Sequence, residues 1–432
     1  MRESVIPEHD EEETRHFLGT SYKSGYYSPN SASHFANFFN TFMDTYILVL
    51  PFFMNLVGAV LGLAIYLSYS FIMMFNLDLL FRVAEKYDYK GRFLHKLAEK
   101  VLGPNSSSFV WLMVALGQMA VFVSTALFAI EFSQDLLCLE TTECHSYNTI
   151  VLVLFLLTVI IALIPNIKLF SFISLASTVI ISAALLIIII LAIQGPKAET
   201  FTLSVPQDIS FYKILLYFSV VSYTIEGVGL AFPLRASFLE KHTPYEFKKL
   251  YYVCSSFVTT IFSVFAVSNF LKFGKEAQPI IFLNYLQNPY VKTAALAYTF
   301  SVFFSNLINL FPIFNDCYST EFIYRLQSSK LGRYWTRYIV RVCVVTFCFG
   351  FCTIGVNFIE SISLAGGCIC VFTGLVMPQL ISAKARENRD WYVTAMGVLS
   401  IAIWFLTSFV AINNFLDHRG YSLEQYFKFI IF

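Results

Sequence analysis

Long apolar runs, separated by short polar stretches, dominate this chain. A helix that crosses the hydrocarbon core needs about 20 predominantly apolar residues. Eleven such runs are legible: 35–57, 59–82, 108–134, 148–165, 169–193, 210–235, 247–271, 291–317, 336–356, 358–382 and 391–413. Gly58 and Gly62 separate spans 1 and 2, Pro165 and Asn166 separate spans 4 and 5, and Gly355 to Asn357 separate spans 9 and 10.

Span 6 breaks the apolar pattern. Its stretch SYTIEGVGLAFPLRAS (222–237) holds Glu226, Gly227, Gly229 and Pro233 within eight residues. Pro233 has no N–H to give and crowds the carbonyl of Gly229 one turn back. The glycines let backbone unwind and approach another group closely. Irregular backbone at membrane depth is tolerated only where protein buries it or where it lines a cavity, and discontinuous helices of this kind mark the binding sites of transporters. Span 1 carries a second interruption, DTYILVLP (44–51), in which Pro51 frees the carbonyl of Ile47. Each proline follows an acid by seven residues, and the acids Asp44 and Glu226 are 182 residues apart, as are the prolines. Five spans separate equivalent positions, so the two halves insert upside-down relative to each other. The expected fold is an all-α polytopic membrane protein of eleven transmembrane helices. Spans 1–5 are mirrored by spans 6–10 in a five-plus-five inverted repeat (LeuT-like) with broken helices 1 and 6.

Composition agrees. Of 432 residues, 57% are hydrophobic and 13% charged, with a mean hydropathy of +0.66, against about 25% charged in soluble domains. The net charge of +1 and the lack of a basic face leave no case for nucleic acid; the bilayer is the expected environment. Residues 1–33, with EHDEEE at 8–13, read as a disordered acidic tail without the apolar core of a signal peptide. Residues 34–416 form one transmembrane domain and 417–432 a short tail. With the N-tail in the cytosol, 22 of the 29 Lys and Arg fall on the cytosolic side, which fixes that orientation and puts the C-terminus outside the cell or in a lumen.

Seven of the nine cysteines sit in or beside apolar spans and read as small buried hydrophobes. Cys138 and Cys144 flank a short polar loop placed outside the cytosol, where they are candidates for a disulfide. No metal pattern and no cofactor motif are present. HExxH, GxSxG and paired aspartates on one helix face are missing, which argues against an enzyme. A channel would want rings of charge or carbonyls along a pore.

The half-helix that follows each break points unpaired N–H groups and partial positive charge into the membrane, where a substrate carboxylate fits. Freed carbonyls and a nearby acid suit an ammonium group or a cation. The candidate substrate-binding residues are therefore Asp44, Thr45, Tyr46, Ile47, Tyr223, Thr224, Gly227 and Gly229. Glu226 and Asp44, costly at membrane depth, are candidates for proton or ion coupling. So are Ser301 and Ser305, which share a face of span 8 with Asn309. Kinked helices that merely pack, and interhelical hydrogen bonding by the serines, are the alternatives.

EGVGLAFP (226–233) resembles the helix-6 signature of the amino acid/auxin permease family, which includes proton-coupled and vacuolar amino acid transporters. LIPNIK (163–168) resembles that family's helix 4–5 turn, and Leu61 to Glu85 its helix 2. HKLAEKVLG (95–103) resembles the cytosolic segment that follows, LFP (310–312) the helix-8 proline, and Asn357 to Pro378 helix 10. The resemblance runs from about residue 36 to 412. It implies eleven helices, an inverted repeat and amino acid transport, often with protons, at the plasma membrane or the vacuolar or lysosomal membrane. One departure stands out. Family helix 1 reads Gly-x-Gly-Ile-Leu-x-Leu-Pro, and here Asp44 and Tyr46 replace both glycines. That fills space beside the expected carboxylate seat and raises two further readings: an organic amine or other non-standard cargo, or a transport-inactive amino acid sensor.

Overall fold

A computed structural model of the chain describes residues 39, 42, 45–140, 146–163, 167–198, 206, 209–239, 241–310, 313–314, 317, 330–386, 391–417 and 419. Asp44, Cys144, Pro165, Asn166 and Pro312 lie outside the described residues. Every described element is helical. A tight turn of 3-10 helix, Thr45–Val49, leads into α1 (Leu50–Val57), then α2 (Ala59–Lys86), α3 (Leu94–Leu102), α4 (Pro104–Glu140), α5 (Tyr147–Ala162) and α6 (Ile167–Gln194). There follow α7 (Phe211–Thr224), α8 (Val228–Phe238), α9 (Pro244–Phe273), α10 (Pro289–Asn306), α11 (Lys330–Thr353) and α12 (Phe358–Leu364). The chain then winds as a wider π-helix over Ala365–Cys370 and Phe372–Val376, and continues in α13 (Met377–Ala385) and α14 (Trp391–Asp417).

Among the described residues, eight helical stretches are long and apolar enough to cross a membrane. They correspond to expected spans 2, 3, 5, 6, 7, 9, 10 and 11. The described parts of spans 1 and 4, Thr45–Val57 and Tyr147–Ala162, are shorter apolar helices, and span 8 corresponds to the more polar α10. The amphipathic α3, which the apolar pattern passes over, buries Leu94, Leu97, Ala98 and Val101 against its neighbours. Burial, then the adjacent Lys96, pushes its His95 imidazole down to about 4.

The surface is apolar and the interior is partly polar, the inverse of a soluble globule. Phe71 is 71% exposed, and Ile160, Val179, Ile193 and Phe405 also face outward. Asn76, Gln118, Thr125 and Asn306 are buried. Inside, polar groups find one another, as backbone and side chains in hydrocarbon must. Asn76 donates to Gly374 O at 2.8 Å and accepts from Gln379 at 2.7 Å. Asn306 donates to Thr125 and accepts from Asn309 at 2.7 Å.

The helix ends follow local chemistry. Gly58, at φ 81°, closes α1 and opens α2, a backbone shape that few residues other than glycine adopt. Thr243 with Glu246 and Asn357 with Glu360 form reciprocal capping boxes at the starts of α9 and α12. Gly62 sits inside α2, where its carbonyl accepts from Tyr217 at 3.0 Å.

The centre of the bundle is α7, which packs against α1, α2, α12, the π-wound stretch and α14. Glycines bring the π-wound stretch in. A Cβ on Gly366 would run into Ser219 O, and one on Gly367 would stand 2.8 Å from Thr407 O. Gly366→Ala should therefore push α7 away and lower stability by about 1–3 kcal/mol. Gly397→Ala, where nothing lies within 4 Å of an added Cβ, should leave stability level. Thermal unfolding of the two purified variants checks this, and equal midpoints would contradict the contact.

Candidate functional site

The interruption of span 6 falls at Ile225–Gly227, the three residues between α7 and α8. It was expected at Pro233, which instead stands inside α8. The reason is positional: the bond that Pro233 cannot make is to Gly229 O in the first turn, and an 11-residue helix tolerates its loss there. Pro51 likewise lies in the first turn of α1, where its missing N–H would have had no intrahelical partner anyway. The 3-10 turn Thr45–Val49 comes just before it.

Each exposed end at Ile225–Gly227 is answered locally. Thr224 folds its hydroxyl back to Val221 O at 2.8 Å, and Glu226 N donates to Tyr223 O at 3.3 Å. The Glu226 carboxylate turns onto the start of α8 and accepts from Gly229 N at 3.4 Å. Glu226 is only 9% exposed. A helix N-terminus is a ready anion seat, and here the chain's own acid occupies it.

Rings close the site. Phe42 lies over Gly227 so tightly that a Cβ there would stand 2.5 Å from its Cε1. Tyr46 meets Tyr223 edge-to-face, with centroids 5.2 Å apart, and its hydroxyl donates to Phe42 O at 3.4 Å. Tyr223 in turn donates to Ala120 O of α4 at 3.4 Å. Thr45 and Ile47 are fully buried in the turn before α1. Of the expected substrate-binding residues, the structure thus brings Tyr46, Tyr223, Thr224, Gly227 and Gly229 together at one interruption. Asp44 lies outside the described residues.

Ser301 and Ser305 are buried on α10, which packs against α6 and α4. Ser305 donates within its own helix to Val302 O at 3.1 Å. Cys138 is disulfide-bonded, and Cys144, its expected partner, is outside the described residues. No group of three or more His, Cys, Asp or Glu is placed to hold a metal ion among the described residues.

The sequence reading missed Gln118. It sits on α4, 3% exposed, with its amide packed against Gly229. The signal was present: a lone glutamine in the apolar run VWLMVALGQMAVFV (110–123), since strongly polar side chains inside a bilayer face protein rather than lipid.

A multi-pass helical bundle with an apolar exterior, and with a buried acid seated on an interrupted central helix, is the build of a membrane transporter. The chain belongs to the family described as transmembrane amino acid transporter protein, which it matches over residues 30–416. It is 23% identical over 393 residues to the amino acid transporter AVT3A of Arabidopsis thaliana, covering 88% of this chain and 87% of that one. It is 26% identical over 206 residues to AVT3C of the same plant, 46% of this chain and 44% of that one. Among solved structures, a Na+-coupled sialic acid symporter in a substrate-bound outward-open state is similar with a TM-score of 0.45 at 11% identity, covering 88% of this chain and 96% of that chain.

Two substitutions test the packing of the site. Gly227→Ala should cost about 1–3 kcal/mol by displacing Phe42. Adding Phe42→Ala should recover part of that loss, a favourable coupling measurable in a double-mutant cycle of thermal stability. Strict additivity would show that the two residues do not touch.

Proposed function

We propose that the protein is a proton-coupled secondary active transporter of amino acids. It works by alternating access around a site between broken helices 1 and 6, within an eleven-span, five-plus-five inverted repeat. The N-terminus is cytosolic and the C-terminus faces the outside or a lumen, in the plasma membrane or a vacuolar or lysosomal membrane. The observation that carries this reading is the Glu226 carboxylate on Gly229 N at the start of α8.

The coupling follows from one seat and two carboxylates. Ionised, Glu226 holds the N-terminus of α8 against any other anion. Protonated, it loses most of its attraction to the helix end, and the seat opens to the carboxylate of an amino acid. Two carboxylates at one seat repel, so cargo and proton enter as a pair and leave as a pair. The Glu226–Gly229 bond is long, as befits a contact that is exchanged in each cycle. Membership of the amino acid transporter family supports the class of cargo.

A second reading, an organic amine as cargo or an amino acid sensor without transport, rests on Tyr46. Its ring stands against Tyr223 where the resembling family has glycine, and together with Phe42 it narrows the space beside the seat.

Glu226→Gln, which cannot titrate, should reduce acid-driven uptake of labelled amino acids into vesicles by at least about tenfold while the protein still folds. Wild-type rate and pH dependence in that variant would remove Glu226 from the mechanism. Asp44→Gly should widen the substrate profile toward ordinary neutral amino acids. An untouched profile across a panel of competitors would place Asp44 away from the cargo.

A further inference from the structure

The amide of Gln118 has no assigned task and an unusual position. Its Oε1 is buried without any hydrogen-bond partner. The rest of the amide lies against Gly229, close enough that a Cβ there would stand 2.9 Å from Gln118 Cδ and nearer still to Nε2. Gly229 is the same residue whose N–H holds the Glu226 carboxylate. Two residues along α4, Ala120 O accepts from Tyr223 on the other side of the interruption. This part of α4 therefore spans the gap between α7 and α8, and Gln118 is the side chain it presents to the start of α8.

A buried acceptor without a donor is costly, and a fold that keeps one has a use for it or a partner to come. The surroundings decide the chemistry of that partner. The N–H groups at the start of α8 are donors and receive an anion. What they cannot hold is a group rich in hydrogens. The Gln118 amide, with Nε2 and Cδ nearest Gly229 and its Oε1 unpartnered, and the Glu226 carboxyl both lie near that helix end.

We propose that Gln118 is a substrate-binding residue whose amide oxygen accepts a hydrogen bond from the α-ammonium group of the amino acid cargo. The cargo's carboxylate takes the N-terminus of α8 and its ammonium lies toward α4. Recognition is thereby tied to a compound bearing both groups, and the inference rests on the transport reading given above.

The test uses the full-length protein reconstituted in liposomes with an inward acid gradient. The substrate is whichever of labelled alanine, glutamine, leucine and arginine the wild type takes up fastest. Gln118→Leu keeps the volume and removes the acceptor. It should raise KM about tenfold or more with maximal rate within about twofold. Gln118→Asn keeps a neutral amide acceptor and should hold KM within about threefold of wild type. The matching carboxylic acid with hydrogen in place of the α-ammonium, which has no donor there, should inhibit wild type and Gln118→Leu equally. An unmoved KM in Gln118→Leu, or equal losses of maximal rate in both variants, overturns the proposal while leaving transport intact. Wild-type vesicles that accumulate none of the four amino acids overturn the transport reading and this inference with it.

Discussion

The hydrocarbon core offers no water to an open peptide group, so every N–H and C=O left free at Ile225–Gly227 has to be answered by protein. That single requirement organises the middle of this molecule. Thr224 returns its hydroxyl to Val221 O, Glu226 turns back to Gly229 N, and Phe42 and Tyr46 roof the gap. From the far side α4 supplies Ala120 O to Tyr223 and the Gln118 amide to Gly229. A continuous helix would need none of this. The wrapping is the cost of keeping polar backbone inside the membrane.

A second irregular segment lies directly behind the first. The π-wound stretch over Ala365–Cys370 and Phe372–Val376 leaves its backbone to be answered by neighbours too. Trp404 donates to Cys368 O at 2.8 Å, and Thr407 and Ser408 both donate to Gly367 O. Gly366 and Gly367 remove the side chains that would hold α7 away, and Gly374 does the same for Met73 and Tyr69 of α2. Helices that meet through glycine faces and hydroxyl bonds can slide without tearing a jigsaw of large apolar side chains. Widened turns of this kind are common at functional positions, and here one backs the helix that carries the interruption.

Much of this was legible in the residues, and the failures have causes. Apolar length gives the membrane spans because the bilayer imposes it, and SYTIEGVGLAFP marks the interrupted helix because no lipid-facing helix has reason to hold Glu226, Gly227 and Gly229. The interruption falls at the acid and first glycine and not at the proline. Pro233 sits within α8, and helix is lost at Ile225–Gly227, where Glu226 turns its carboxylate onto Gly229 N. The π-winding was illegible, since a small change of pitch leaves the apolar pattern of AGGCICVFTGLV (365–376) unchanged. The role of α4 was hidden for another reason: which face of a long apolar helix meets a gap is a tertiary fact. Only the lone Gln118 hinted at it.

Two acids, the part-buried Glu131 and the buried Glu226, each accept from the backbone N–H groups at the start of a helix. Glu131 reaches from α4 to the start of α12 and accepts from Phe358 N at 2.6 Å. Beside it, Glu360 closes its own capping box and meets Arg419 at 3.4 Å. The short Glu131 bond crosses between helices and ties α4 to α12. Glu226 instead grips the start of the helix that follows it in sequence, at 3.4 Å, and it joins no ion pair among the described residues. Its carboxylate is held by backbone N–H groups of Val228 and Gly229 at the start of α8. The two acids thus differ in reach: Glu131 joins two helices distant in sequence, whereas Glu226 closes the gap between two consecutive ones.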